Sequence, residues 1–299
     1  MRMNTLVVLS VFLVTSAQAV IVAGGNGTQN TAAPTGGQGW DYVGRITSAN
    51  GAPSGVTYID NNWFITAYHI QNLDNPTGVL LGGSSYSIDG GSWTRLANTE
   101  GGDADLAMFR VNTDVTGLSA VTISSSIANG TGLTMIGNGR NRSVDQAFWN
   151  VAGTTWTENG SPTNASGYHW AAGATKRWGN NTKEADAGLV NDGFGITDMF
   201  YTDFDGIVGE AQGATYDSGG GVFVDVDGDW ELGGLLLTVA GSGGQPAETA
   251  VFGNRTYVAD LSLYADQITA TAAIPEPSVL MLGSVFAVAG FCIRRIFMI

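Results

Sequence analysis

The sequence predicts an all-β domain, two stacked barrels closed by a C-terminal helix, and three observations carry that expectation. Glycine is abundant at 44 residues, while charged residues make up only 13% of the chain. Such a composition suits many tight turns between strands better than it suits helices. Short apolar runs recur between Gly/Asn/Asp turns with little helical periodicity. Only one late stretch, 259–268, carries clear helical spacing. With 43% hydrophobic residues and eight Trp, the chain has ample apolar surface to fold, which excludes a disordered polypeptide.

Taken in order, strands are expected at 42–46, 56–59, 63–66, 106–111, 133–136, 221–226 and 232–239. Asp227-Gly228-Asp229 reads as the hairpin turn between the last two. Residues 153–200, rich in Gly, Asn, Trp and Thr, are expected to be long surface loops of the second barrel. The helix at 259–268 would place Leu261, Tyr264, Ala265 and Ile268 on one face. The first barrel would span about 37–125 and the second about 130–258. No short-period repeat is present.

Charge and cysteine usage narrow the function. Twelve basic residues against 26 acidic ones give a net charge of -14. A polyanion would be repelled, so nucleic acid is excluded as a partner. The single cysteine, Cys292, falls in a terminal apolar segment. The folded domain therefore has no disulfide, no Cys-based zinc site and no thiol nucleophile. The chain holds two histidines, His69 and His169, so any histidine-dependent chemistry must use one of them.

Both ends read as addresses. Residues 1–19 have a positive start at Arg2, an apolar stretch at 6–14 and a small-residue cleavage site, Ala17-Gln18-Ala19, as a signal peptide requires. Cleavage after Ala19 would leave Val20-Ile21-Val22-Ala23-Gly24-Gly25 at the mature start. At the other end stand Ile274-Pro275-Glu276-Pro277-Ser278, an apolar stretch at 279–293 and Arg294-Arg295. The apolar stretch is shorter than the roughly 20 residues that comfortably span a bilayer, and the arginine pair fits a cytoplasmic flank. This tail, 271–299, resembles the PEP-CTERM sorting signal of Gram-negative bacteria. The resemblance implies export, transient membrane association and processing by an exosortase-type enzyme at the cell envelope, surface or extracellular matrix. The domain between the two addresses would be 20–270.

Three internal segments carry chemistry. Hydrolysis of an amide by serine needs a base for the hydroxyl proton, an acid to orient the base, and donors for the oxyanion. Asn62-Trp63-Phe64-Ile65-Thr66-Ala67-Tyr68-His69 delivers a histidine at the end of an apolar strand. Asp103-Ala104-Asp105-Leu106-Ala107-Met108-Phe109-Arg110 begins an apolar strand just after an aspartate. Tyr216-Asp217-Ser218-Gly219-Gly220-Gly221 places a serine among glycines that permit a tight turn. Together, and in this order, the segments resemble those of chymotrypsin/trypsin-like serine proteases, and the likeness extends from about Tyr42 to Ile268.

That resemblance implies two six-stranded Greek-key barrels with a C-terminal helix and a serine endopeptidase activity. It assigns His69 as base, Asp105 as orienting acid, with Asp103 the alternative, and Ser218 as nucleophile. The backbone N–H groups of Ser218 and Tyr216 would form the oxyanion hole, although the family usually has glycine where Tyr216 stands. Asp217 matches the aspartate that receives a freshly cut N-terminus in trypsin-like members, and Ile21-Val22-Ala23-Gly24-Gly25 is similar to their mature start. Gln212 would floor the substrate pocket, with walls near Leu237, Thr238 and Val239. No acid stands among them, so a neutral or apolar side chain is the expected P1 group.

A protein or peptide is the implied substrate, and the chemistry calls for no cofactor or metal. Asp203, Asp205 and Glu210, and Asp225, Asp227 and Asp229, lack EF-hand spacing and read as turn acids. A catalytically inactive, protease-like adhesion or matrix module is the other reading, left open by Tyr216.

Overall fold

The computed structural model describes residues 20–274. The expected signal segment 1–19, and the expected sorting tail from Pro275 onward with its apolar stretch 279–293 and Cys292, lie outside them. Among the described residues no helix is long and apolar enough to cross a membrane.

Strands dominate, as expected. One seven-stranded sheet runs in the order Ser84–Ser87, Pro76–Leu81, Val43–Ser48, Gly55–Asp60, Trp63–Thr66, Asp103–Arg110, Thr94–Ala97. A second runs Arg177–Thr182, Gly132–Gly137, Gly221–Val226, Asp229–Ala240, Arg255–Asp260, Ile196–Asp203, Ala185–Asn191. A five-stranded sheet centres on Ala165–Ala174, and Ile21–Val22 pairs separately with Ala211–Gln212.

Two expected strands, 63–66 and 221–226, coincide with the observed ones. The expected hairpin turn is also present. Val226 pairs with Asp229, leaving Asp227 and Gly228 at φ 54° and 97°. Two positive φ values in a two-residue loop match the right-handed twist of the flanking strands.

Two expectations are corrected. The helix begins later than 259: Ala259 still belongs to the strand Arg255–Asp260, where it pairs with Leu235 and Met199. A 3-10 turn, Leu261–Leu263, and then the helix Ala265–Ala272 follow. The Asp260 side chain accepts the Ser262 N–H at 3.1 Å and so starts the turn. The apolar spacing marks burial rather than the boundary, since Leu261, Tyr264 and Ile268 are all buried.

Residues 153–200 are not surface loops. They contribute the strands Thr155–Glu158, Ala165–Ala174, Arg177–Thr182, Ala185–Asn191 and Ile196–Asp203. Their alternation is hidden by glycine placed where the chain is crowded. A Cβ at Gly179 would lie 2.7 Å from the Ala211 Cβ, so an inward position carries no apolar side chain to read.

A single apolar cluster joins the two large sheets. It includes Val56, Phe64 and Phe109 of the first, Phe223 and Leu235 of the second, and Leu261, Tyr264 and Ile268 at the C-terminal end. Phe64 and Phe109 stack with centroids 5.8 Å apart. Each such buried side chain stabilises the fold by about 1.5–3 kcal/mol relative to exposure. The core thereby fixes the two sheets that meet at the site.

Candidate active site

The buried strand Trp63–Thr66 ends at Ala67, still extended at φ -69° and ψ 140°, and the helix Tyr68–Asp74 starts at once. This turn sets His69 in the first helical turn, beside the strand Asp103–Arg110 that pairs with Trp63–Thr66. Asp105 is 1% exposed and grips His69 twice. The His69 backbone N–H donates to Asp105 Oδ1 at 2.8 Å, and His69 Nδ1 meets Asp105 Oδ2 at 2.6 Å. A carboxylate at Nδ1 favours the tautomer protonated there, leaving Nε2 as acceptor. Asp103, the alternative, is 78% exposed at its side chain and pairs with Arg95.

Ser218 lies in the loop before Gly221–Val226, fastened to the first sheet. Gly55 N–H is shared between Tyr216 O at 3.1 Å and Ser218 O at 2.9 Å. Thr57 Oγ1 donates to Gly219 O at 3.1 Å, and Thr66 Oγ1 to Gly55 O at 2.8 Å. Gly219 sits at φ 84°, and a Cβ there would collide with Gly55 O and Thr66 Oγ1. Only glycine fits this turn.

His69 and Ser218 line one cavity of about 350 Å³. Within it Ser218 Oγ donates to Leu237 O at 2.9 Å. Tyr216, Leu237, Thr238 and Val239 also line the cavity. Gln212 does not: it is fully buried opposite Ile21, and neither amide atom has a partner.

Thr215 O accepts the Arg140 N–H at 2.9 Å. In a trans peptide the carbonyl and the next N–H point opposite ways, so this bond turns the Tyr216 N–H away from Arg140. Among the described residues neither the Tyr216 nor the Ser218 N–H has a backbone acceptor. Tyr216 reaches this geometry at φ 78°, a left-handed conformation that costs a side-chain-bearing residue roughly 1–2 kcal/mol.

Asp217 points away from the cavity into the interior. Its Oδ1 accepts Gly139 N–H at 2.7 Å and Val20 N–H at 3.5 Å, and its Oδ2 accepts Ala214 N–H at 2.8 Å. Burial pushes its carboxyl up to about 7, against the opposing pull of these amide donors.

The remaining candidates lie elsewhere. His169 pairs with Glu158 at 2.9 Å and rests against Trp149. Asp203 pairs with Arg255, Glu210 accepts the Gly206 N–H, and Asp225 accepts the Gly228 N–H. Among the described residues no cluster of three or more metal-ligating side chains is present.

Two contributors carry no motif of their own in the sequence. Thr197 Oγ1 accepts the Asp105 N–H at 2.8 Å, and the Phe194 ring lies 4.9 Å from that of His69. Both belong to the hairpin of Ala185–Asn191 and Ile196–Asp203. Its Asn191-Asp192-Gly193 run, between apolar stretches, is a usable turn signal.

This arrangement is an all-β chymotrypsin-like fold. The chain is similar to a mutant of human heparin binding protein (CAP37), at 15% identity and TM-score 0.54, over 83% of this chain and 97% of that one. It is also similar to Rv3671c from M. tuberculosis in an inactive form, at 15% identity and TM-score 0.47, over 86% and 98%. A scan against family models gives no match, and neither does a search of curated proteins. Likeness at this level of identity speaks to the fold alone.

Proposed function

We propose that the chain is an exported serine endopeptidase that cuts peptide bonds through an acyl-enzyme. The observation that carries this reading is the 2.6 Å pair of His69 Nδ1 and Asp105 Oδ2, facing Ser218 across one cavity. In the first step Ser218 Oγ leaves Leu237 O, gives its proton to His69 Nε2 and attacks the carbonyl carbon. The carbonyl electron pair moves to oxygen, where the Tyr216 and Ser218 N–H groups receive it. Asp105 stabilises the imidazolium, which then protonates the departing amine. Water repeats the sequence on the Ser218 ester and frees the acid.

Cleavage after Ala19 would complete the site. It converts the Val20 amide, 3.5 Å from Asp217 Oδ1, into an ammonium. A neutral buried acid then becomes an ion pair, and Asp217 anchors the loop that carries Tyr216 and Ser218. Both addressing segments direct the chain to export and envelope sorting on this reading. The apolar character of Ala214, Leu237 and Val239 beside Ser218 favours a neutral or apolar P1 side chain.

A second reading, an inactive adhesion or matrix module, is favoured by one observation, the engagement of Ser218 Oγ by Leu237 O rather than by His69. A peptide-library digest with the processed chain separates the two. Cleavage after apolar residues, with Ser218→Ala and His69→Ala lowering turnover to similar extents, supports the proposal, because such residues act as a unit. Absence of cleavage by correctly processed protein supports the module.

A further inference from the structure

Past Tyr216 the catalytic cavity adjoins a second one. Tyr216 lines both, and Pro53 of the second immediately precedes Ser54 of the first. The second cavity holds about 420 Å³, and Arg45 and Arg140 line it beside the small residues Ala172, Gly173 and Ala174. Arg45 and Ala174 also line a third cavity of about 340 Å³, together with Lys176. Among the described residues no carboxylate lines either of them.

This run of positive charge stands against the character of the chain. Of its 12 basic residues Arg2, Arg294 and Arg295 lie outside 20–274, and three of the other nine line these two cavities. Arg45 is half-buried in the strand Val43–Ser48, and among the described residues its side chain has neither a hydrogen bond nor an ion pair. In a chain with 26 acidic residues, a half-buried guanidinium without a counter-ion leaves room for one from outside. Arg140 has Glu248 at 3.4 Å, but that carboxylate is 61% exposed and holds it weakly. Arg140 Nε donates to Ala171 O at 3.1 Å, which fixes the guanidinium at the cavity wall. Lys176 Nζ is held by Trp40 O and Val43 O.

A peptide crossing Ser218 with its acyl-side residue against Ala214, Leu237 and Val239 touches walls that the second cavity lacks. Its other end leaves past Tyr216, toward Arg45 and Arg140. Asp74, the acid that lines the catalytic cavity, is bound by Ser54 Oγ at 2.6 Å and does not line the second. The net charge of -14 still repels a long polyanion, so the fit is to a single carboxylate rather than to an acidic tract.

We propose that the second cavity is a substrate subsite, in which Arg45, supported by Arg140 and Lys176, receives an acidic side chain on the leaving-group side of the scissile bond. The proposal rests on the reading of the chain as a serine endopeptidase and deepens it: an apolar residue before the cut and Asp or Glu soon after it define the substrate. Guanidinium binds carboxylate through paired N–H donors, and solvent screens a half-buried pair less than an exposed one.

Peptide binding to chains carrying Ser218→Ala tests the subsite without turnover. Fluorescent peptides, amidated at the C-terminus so that no terminal carboxylate competes, share one sequence around an apolar residue and carry either Glu or Gln shortly after it. The Glu peptide should bind about 10-fold more tightly at low salt. Arg45→Gln should remove most of that preference, Arg45→Lys should keep part of it, and Arg45→Glu should favour a Lys peptide instead. Equal affinity for the Glu and Gln peptides, a preference indifferent to Arg45→Gln, or no binding of either overturns the proposal. Glu moved to the acyl side should gain nothing, and an equal gain there overturns the assignment to the leaving side. The processed wild-type chain should show the same preference in kcat/KM. Binding that prefers Glu without any cleavage contradicts the hydrolase reading and leaves the subsite standing.

Discussion

Tyr216 occupies a backbone conformation that glycine adopts freely, and its N–H is one of the two proposed oxyanion donors. The φ of 78° says that the loop is held in this shape by its surroundings rather than by its own preference. Gly55 N–H on Tyr216 O and Arg140 N–H on Thr215 O supply that hold. Tyr216→Gly should therefore raise stability by about 0.5–1 kcal/mol, once the added freedom of the unfolded chain is subtracted, and should not lower kcat. Tyr216→Ala keeps the strain and should give no such gain. Urea unfolding of both variants checks this, and a destabilised glycine variant would show that the Tyr216 ring contributes more than its backbone costs. The second histidine offers a contrast. His169 pairs with Glu158 and does not line the cavity, so His169→Ala should leave labelling at Ser218 unchanged.

The strand Ile21–Val22 is a short element with a large electrostatic consequence. Pairing with Ala211–Gln212 and the bond from Arg142 Nε to Val22 O at 2.9 Å place Val20 beside buried Asp217. In an uncut chain the native state keeps a proton on Asp217 up to about pH 7, whereas an unfolded aspartate releases it near about pH 4. The native state then binds more protons across that window, so stability falls as pH rises from about 4 to 7. At about 1.4 kcal/mol for each pH unit that separates the two midpoints, the loss should reach a few kcal/mol. A new ammonium at Val20 should remove it. Urea midpoints at pH 5 and pH 8, measured for uncut and cut chains, report the difference, and identical pH dependence in the two forms would contradict the ion pair.

Elements also show where sequence reading works. Trp63–Thr66 and Gly221–Val226 are legible because each is a compact apolar run bounded by turn residues. Arg177–Thr182 is not, because one of its inward positions is Gly179, packed against Ala211. The strand Arg255–Asp260 passes into a 3-10 turn and then the helix with no break in apolar spacing, so one period blurs three elements.

At the scale of the molecule, the site is assembled from both large sheets. The first supplies His69 and Asp105, while the second supplies Thr197, Phe194 and the walls beside Ser218. The triad candidates are legible because each carries its own local motif. Thr197 is not, since its contact with Asp105 exists only once the hairpin folds across to the first sheet. The hydrogen bond from Ser218 Oγ to Leu237 O is hidden from the sequence for the same reason. It also defines what catalysis requires of the whole assembly: Oγ must turn from Leu237 toward His69 as substrate enters, and apo sites often tighten only then. Fluorophosphonate labelling of the processed chain tests this most directly. The expected result is one adduct per chain at Ser218, lost in Ser218→Ala and strongly slowed in His69→Ala; a processed wild-type chain that takes up no probe would contradict the account.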